Sequence, residues 1–112
     1  MLSSANRLKK RKEFAYLYNN GKAKHTTFLT MVYLPTKSRI LKIGFSVAKK
    51  IGKAHTRNLV KRRLRVIVRE FVPLMPNNFN VVFIAKVGID KVPYAELKSQ
   101  VKYLLSKGEF IK

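Results

Sequence analysis

The segment from Ala54 to Val72 constrains the fold of this chain more than any other feature. At 100° per residue its apolar side chains fall within one arc of roughly 100°; they are Val60, Leu64, Ile67, Val68 and Phe71. A separate arc beside it carries polar and basic side chains, namely Asn58, Lys61, Arg62, Arg65 and Arg69. The pattern predicts a long helix that ends before Pro73, with its apolar face in a core and its basic face outside that core.

Positive charge extends well beyond this segment. The 112 residues include 25 Lys and Arg against 5 Asp and Glu, a formal net charge of +20, and no acid lies between Phe14 and Arg69. A compact chain with this charge repels itself, and only a polyanion would make the excess useful. Nucleic acid fits best, because neutralising phosphates releases condensed counterions. Membrane surfaces and calmodulin-like partners also bind basic amphipathic helices, but here the apolar face is needed by the core.

The remaining patterns predict one domain over residues 1–112, without repeats or a composition break. Residues 1–10 are basic and aperiodic, and we expect an extended arm. A helix over about 10–19 would place Phe14, Leu17 and Tyr18 on one side, and Asn19-Asn20-Gly21 would end it, because Asn and Gly tolerate the left-handed conformation of a helix stop. Strands are predicted over 26–34, 39–47 and 81–86, the first two joined as a hairpin. A last helix begins at Pro93, and Leu97, Val101 and Leu104 repeat there at helical spacing. This order predicts an α+β domain in which a small mixed sheet packs with about three helices, the long basic one in a strand–helix–strand crossover.

No constellation of residues indicates catalysis by the polypeptide itself. The chain has no cysteine. Glu13 and Glu70 are isolated, and His25 and His55 lack a second ligand at metal spacing. Ser46 follows Gly-Phe in a run that lacks the second glycine of a nucleophile elbow. Because no secretory signal or membrane-length apolar run is visible, we expect a cytoplasmic protein with no membrane partner, no catalytic residue and no metal site.

The block from Gly44 to Ala54, GFSVAKKIGKA, carries a family resemblance together with its neighbours. It resembles the G-x-S-V-(S/A)-K-K-x-G-x-A signature of bacterial ribonuclease P proteins, and residues 57–65 (RNLVKRRLR) are similar to the Arg-Asn-Arg helix of that family. Residues 7–21 resemble its opening helix. Two positions depart from the pattern: Leu59 stands where the third residue is usually Arg, and Lys53 stands where Asn usually follows the glycine.

The resemblance implies the fold of the second domain of a small-subunit ribosomal protein. It also implies that the chain is the protein subunit of a ribonucleoprotein endoribonuclease that matures the 5′ end of tRNA. In that enzyme the RNA subunit would perform catalysis, and Mg²⁺ would be bound mainly by RNA. The implied partners are that catalytic RNA and precursor tRNA, with no obligatory protein partner. The surface implied for the RNA subunit comprises Lys49, Lys50, Lys53, Arg57, Asn58, Lys61, Arg62, Arg65 and Arg69. A cleft for the single-stranded 5′ leader would comprise Phe14, Tyr18, Leu29, Met31 and Tyr33, whose aromatic members can stack on unpaired bases.

Other functions stay open from the residues alone. A ribosomal or ribosome-assembly protein would share the basic composition without a part in cleavage, as would a general nucleic-acid packaging protein. An autonomous nuclease would need an acid–base or metal constellation that the sequence lacks. The rings of Phe14 and Tyr18 would equally serve to pack the first helix on the sheet.

Overall fold

The computed structural model describes residues 7–8, 10–37 and 40–108. The three helices are α1 (Arg11–Asn20), α2 (Ala54–Phe71) and α3 (Tyr94–Lys107). The four strands are β1 (Lys22–His25), β2 (Leu29–Pro35), β3 (Lys42–Ser46) and β4 (Phe79–Ala85). Short 3-10 turns cover Lys49–Ile51, Val72–Leu74 and Ile89–Lys91. The predicted α+β class, with three helices on a small mixed sheet, is confirmed.

The strands form one sheet in the order β1-β2-β4-β3, antiparallel except for the parallel pair β3–β4. The basic helix α2 is therefore the crossover between two parallel strands, as predicted. The hairpin predicted between residues 26–34 and 39–47 is wrong, because β4 lies between the corresponding strands β2 and β3. β2 instead forms a hairpin with β1. The sequence patterns did not predict β1, because its four residues, Lys-Ala-Lys-His, are mostly polar.

Part of the predicted amino-terminal arm lies along the outer edge of β3. Arg7 forms a parallel bridge to Ile43. The backbone N–H of Leu8 donates to the carbonyl oxygen of Ile43 at 2.9 Å, and the Leu8 side chain is buried. The rest of the arm, residues 1–6 and 9, lies outside the described residues. The arm is thus extended where it can be seen, and it covers the edge strand.

The main core lies between one face of the sheet and the helices α2 and α3. All five members of the predicted apolar arc of α2 are buried there. They pack with the inward residues of β3 and with the residues of α3 that repeat at helical spacing, which are Leu97, Val101 and Leu104. Burying each side chain of this size stabilises the fold by about 1.5–3 kcal/mol. The apolar face therefore fixes the helix on the sheet, and its opposite face needs no packing partner.

Helix α1 covers part of the other face of the sheet. Its Leu17 is buried in a smaller cluster with Val32 and Val82, and Phe14 packs against that cluster. A Cβ at Gly44 would lie 2.7 Å from Cζ of Phe14, so the glycine admits that ring against β3. Gly21 ends the helix in extended conformation (φ −80°), so the predicted left-handed stop is wrong. Glycine is required there because a Cβ would lie 2.8 Å from Cγ1 of Val32.

Candidate nucleic-acid interface

The polar arc of α2 lines an open groove of about 620 Å³ on the outside of the domain. Its walls are Asn58, Lys61, Arg62, Arg65, Val66 and Arg69; we call it the α2 groove. The structure therefore brings together five of the residues predicted to bind the RNA subunit. They occupy one face because they recur every three or four residues on a helix whose other face is buried.

Within the part of the chain that the structure describes, no carboxylate forms an ion pair with the residues of this groove. Among the residues described, the two ion pairs join Lys42 to Glu13 at 3.1 Å and Lys98 to Glu70 at 2.6 Å. Glu70 is the single acid of α2, and it pairs with α3 instead of with its arginine neighbours. Its hydrogen bond and charge raise the pKa of Lys98. The guanidinium and ammonium groups of the α2 groove are thus left for a ligand that carries negative charge.

The residues ahead of α2 are placed by the turn that leads into it. Ile51 is buried, whereas Lys49, Lys50 and Lys53 are exposed around it. Arg57 is half-buried, and its Nε donates to the carbonyl oxygen of Gly52 at 3.2 Å. Arg57 therefore holds the turn against the helix through its Nε. Leu59 is half-buried and does not line the α2 groove.

A second surface lies beside α1 on the opposite face of the sheet. The rings of Phe14 and Tyr18 have centroids 6.3 Å apart and planes tilted by 53°. Phe14 is half-buried against Gly44, whereas Tyr18 is 44% exposed. Phe14 thus packs the helix on the sheet, and Tyr18 offers an accessible ring. Packing on the sheet is thus the use of Phe14, whereas base stacking on Tyr18 stays a prediction.

The predicted place of Leu29, Met31 and Tyr33 beside these rings is wrong. Leu29 and Met31 have no exposed surface and Tyr33 is 8% exposed, and all three lie in the main core against α2 and α3. Both sides of β2 are fairly apolar, so the sequence could not show which side faces the long helices. The strand residues on the α1 side are the alternate ones, which include Thr30, Val32 and Leu34.

A row of four residues, three of them polar, crosses the α1 side of the sheet, and the sequence patterns did not predict it. Adjacent strands pair His25 with Thr30, Thr30 with Ile84 and Ile84 with Ser46. Nδ1 of His25 lies 3.0 Å from Oγ1 of Thr30, and none of the four residues is fully buried. We call these four residues and Tyr18 the α1 cleft. The sequence of β2 could have indicated this row, because Thr30 is a polar residue between two apolar ones.

The two surfaces approach each other at a smaller cavity of about 290 Å³, the junction pocket. It is lined by Arg7, Leu8, Phe14, Ile43, Gly44, Phe45, Lys61 and Arg65. Lys61 and Arg65 also line the α2 groove, and Phe14 contacts Tyr18 of the α1 cleft. Positive charge therefore continues from the long helix to the aromatic side of the domain.

Within the described ranges, no group of three or more His, Cys, Asp or Glu side chains could hold a metal ion. The three helices are also each too short or too polar to cross a membrane.

Comparison with known proteins identifies relatives along nearly the whole chain. The sequence model of the Ribonuclease P family matches residues 2–109. The ribonuclease P protein component of Caldanaerobacter subterraneus subsp. tengcongensis is 36% identical over 96% of this chain and 92% of its own length. That of Clostridium botulinum is 33% identical over 91% and 93%.

Solved structures show the same architecture. The RNase P protein of Staphylococcus aureus superposes with a TM-score of 0.89 at 21% identity, covering 97% of this chain and all of the other. The RNase P protein of Thermotoga maritima gives 0.81 at 25% identity, with 90% and 96% covered. The first likeness establishes the fold, whereas the sequence relatives establish descent. This chain belongs to the ribonuclease P protein family.

Proposed function

We propose that this chain is the protein subunit of a ribonuclease P holoenzyme and that the α2 groove binds its catalytic RNA. The observation that carries the proposal is the division of α2 into a buried apolar face and an unneutralised basic face. A fixed row of guanidinium groups can fork onto successive phosphates without reorganising the fold. Lys49, Lys50, Lys53 and Arg57 extend the same surface around the start of the helix.

The α1 cleft would receive the single-stranded 5′ leader of precursor tRNA. Tyr18 supplies an exposed ring on which a base can stack, worth about 1–3 kcal/mol per base with little sequence preference. On the same side of the sheet as α1, Thr30, Ser46 and His25 would offer hydroxyl and imidazole groups to the sugar–phosphate backbone. Phe14 supports Tyr18 from the sheet side. This cleft replaces the one expected from Leu29, Met31 and Tyr33.

Hydrolysis of the phosphodiester would be performed by the RNA subunit with Mg²⁺. Metal ions activate water and stabilise the leaving oxygen in such cleavage, and the described residues of this chain offer no carboxylate or imidazole cluster to hold one. The chain contributes positive potential and a place for the substrate. Because its cations neutralise phosphates that Mg²⁺ would otherwise screen, it would lower the Mg²⁺ concentration that cleavage needs.

The test is precursor-tRNA cleavage at low Mg²⁺ by a bacterial ribonuclease P RNA, with and without this chain. We expect cleavage at the mature 5′ end only when both are present. No stimulation, although the chain still binds RNA, would favour a ribosome-associated role. Cleavage by the chain without any RNA subunit would reveal an active site in the polypeptide and refute the proposed division of labour.

A further inference from the structure

An open cavity of about 500 Å³ lies between α3 and the turn that joins β1 to β2. We call it the α3 pocket; its walls include His25 and Thr27 on the strand side and Glu96, Gln100 and Tyr103 on α3. The three helical residues recur at intervals of four and three positions, so they project from one face of α3. The volume falls within the range of about 300–1,000 Å³ that is usual for small-molecule sites. The α2 groove and the α1 cleft use no residue of α3.

Hydrogen bonds fix the side-chain amide of Gln100 in the wall of this pocket. Its Oε1 accepts from the hydroxyl group of Thr26 at 2.8 Å and from the backbone N–H of Phe28 at 3.2 Å. Because a backbone N–H can only donate, the atom that it meets is the amide oxygen, and the NH₂ group lies on the other side of the amide. Lys86 holds the same turn, since its Nζ donates to the carbonyl oxygen of Thr26 at 2.6 Å.

The NH₂ group of Gln100 is left for a ligand. It makes no hydrogen bond within the described residues, and it keeps some exposed surface, so a molecule from outside can reach it. A primary amide carries two N–H donors. The pocket therefore presents two donors whose orientation is set by the contacts of the amide oxygen.

Glu96 adds acceptors one turn before Gln100. The chain has 25 Lys and Arg, yet neither ion pair among the described residues involves Glu96, and its carboxylate accepts no hydrogen bond from them. A carboxylate has two acceptor oxygens and no donor. A ligand of this pocket must therefore donate to Glu96 and accept from Gln100. A phosphate does not match that pattern, because its oxygens only accept and their negative charge is repelled by the carboxylate.

Aromatic side chains complete the pocket. Tyr103 is 51% exposed, and Nζ of Lys107 lies 5.5 Å from the centroid of its ring, which leaves the opposite side of the ring for a ligand. The ring of His25 is exposed as well. Unpaired RNA bases stack on such rings and are recognised by hydrogen bonds along their Watson–Crick edge.

Among the four RNA bases, guanine fits this arrangement best. Its O6 accepts a hydrogen bond, and its N1–H and N2–H₂ groups are adjacent donors that can meet the two oxygens of one carboxylate. It therefore satisfies Gln100 and both oxygens of Glu96 together. Each of the other bases has a single donor group on that edge and would leave one carboxylate oxygen unused.

His25 connects the α3 pocket to the α1 cleft. It is the last residue of the edge strand β1, it lines the pocket, and its Nδ1 lies 3.0 Å from Oγ1 of Thr30 in the cleft. An RNA strand that follows the cleft across the sheet reaches the pocket where it passes β1. The basic helix flanks the opposite edge, β3, so β1 is the edge farther from the catalytic RNA.

We propose that the α3 pocket binds one unpaired guanine base of the precursor leader, upstream of the nucleotides that occupy the α1 cleft. Gln100 donates to O6, Glu96 accepts from N1–H and N2–H, and Tyr103 stacks on the base. This inference rests on the proposed function and deepens it. It adds a base-specific subsite to a cleft in which stacking carries little sequence preference.

The first experiment measures dissociation constants in the reconstituted holoenzyme for precursor tRNAs with an oligouridine leader. A single guanosine is moved through successive leader positions. We expect one position upstream of the cleft to bind about fivefold to a hundredfold more tightly than the all-uridine leader, as for one recognised base. Inosine at that position lacks only the N2 amino group and should lose part of the gain, and adenosine should lose most of it. Equal affinities at all positions would overturn the subsite.

The second experiment compares Glu96→Gln with Asp90→Asn in the same series. Both remove one negative charge, which by general electrostatics would tighten RNA binding, but Asp90 lies in the turn Ile89–Lys91 and does not line the pocket. We expect Glu96→Gln to abolish the preference for guanosine and Asp90→Asn to keep it. A preference that survives in Glu96→Gln would contradict the assignment of that residue.

A measurement on the chain alone separates the pocket from the proposed function. The side-chain NH₂ signals of Gln100 are followed by NMR during a titration with guanosine 5′-monophosphate, and Gln100→Glu assigns them because it removes the amide nitrogen. Cytidine 5′-monophosphate is the control for binding through the phosphate. We expect a saturable shift with the guanosine nucleotide and a much smaller one with the cytidine nucleotide.

Unmoved signals, or equal shifts with both nucleotides, would overturn the pocket as a guanine site. If the wild-type chain fails to stimulate cleavage, the proposed function fails, whereas this titration still decides whether the pocket binds guanine. If cleavage is stimulated and the leader series shows no preference, the proposed function stands and the subsite is wrong.

Discussion

Removing two cations from the α2 groove should flatten the salt dependence of RNA binding by a predictable amount. Arg62 and Arg69 are the suitable pair, because both are exposed on α2 and neither lines the junction pocket. Replacing both by Gln keeps the helix propensity nearly unchanged and leaves the buried apolar face intact. The variant should therefore fold as the wild type does, with a similar thermal unfolding midpoint.

The magnitude follows from counterion release. If each cation neutralises one phosphate, each contributes about 0.9 to the slope of log affinity against log salt. Four cations line the groove, so they contribute a slope of about −3.6 and the double variant loses about 1.8 of it. Raising salt from roughly 50 to 200 mM should then weaken the wild type about twelvefold more than the variant.

The assay is the dissociation constant for ribonuclease P RNA at four or more salt concentrations. A matched control is the double variant Lys91→Gln with Lys102→Gln, because both residues are exposed and lie outside the α2 groove and the junction pocket. It has the same net charge as the groove variant. Equal changes of slope in both double variants would refute a specific role of the α2 groove, since net charge alone would then account for the binding.

Three further substitutions test other parts of the structure. Tyr18→Ala should weaken holoenzyme binding of leader-bearing precursor by about 1–3 kcal/mol, whereas Tyr18→Phe keeps the ring; an equal loss with leaderless tRNA would contradict a role in leader binding. Gly44→Ala should lower the free energy of unfolding by about 1–3 kcal/mol, because its methyl group would overlap the Phe14 ring; unchanged urea denaturation would show that the ring does not pack there. Ile67→Ala should cost about 2–5 kcal/mol, since that side chain has no exposed surface; a smaller loss in thermal or urea unfolding would mean that α2 is not anchored by this face.

The sequence predicted the structure best for elements in which one face is apolar and the other is charged. The apolar arc of α2 was recovered in full because a period of 3.6 residues leaves only one way to bury it. The repeat of Leu97, Val101 and Leu104 likewise located α3 against the core. The basic residues of the α2 groove followed as the complement of that buried arc.

Strand order could not be read from local patterns. The short connection after β2 suggested a hairpin, but the parallel pairing of β3 with β4 inserts β4 between them. That pairing depends on contacts across the long helix, which have no local signal. Both faces of β2 are largely apolar in sequence, so alternation could not assign Leu29, Met31 and Tyr33 to the correct face. The junction pocket depends on where the arm meets α2, and spacing in the sequence gives no information about that.

The central claim is that this chain recognises the RNA of ribonuclease P and is not a general ribosomal RNA binder. Its most direct test is competition between labelled ribonuclease P RNA and a ribosomal RNA fragment of equal length, at several salt concentrations. We expect ribonuclease P RNA to be bound more tightly throughout, and we expect the groove variant to reduce this preference. Equal affinity, or tighter binding of the ribosomal fragment, would contradict it.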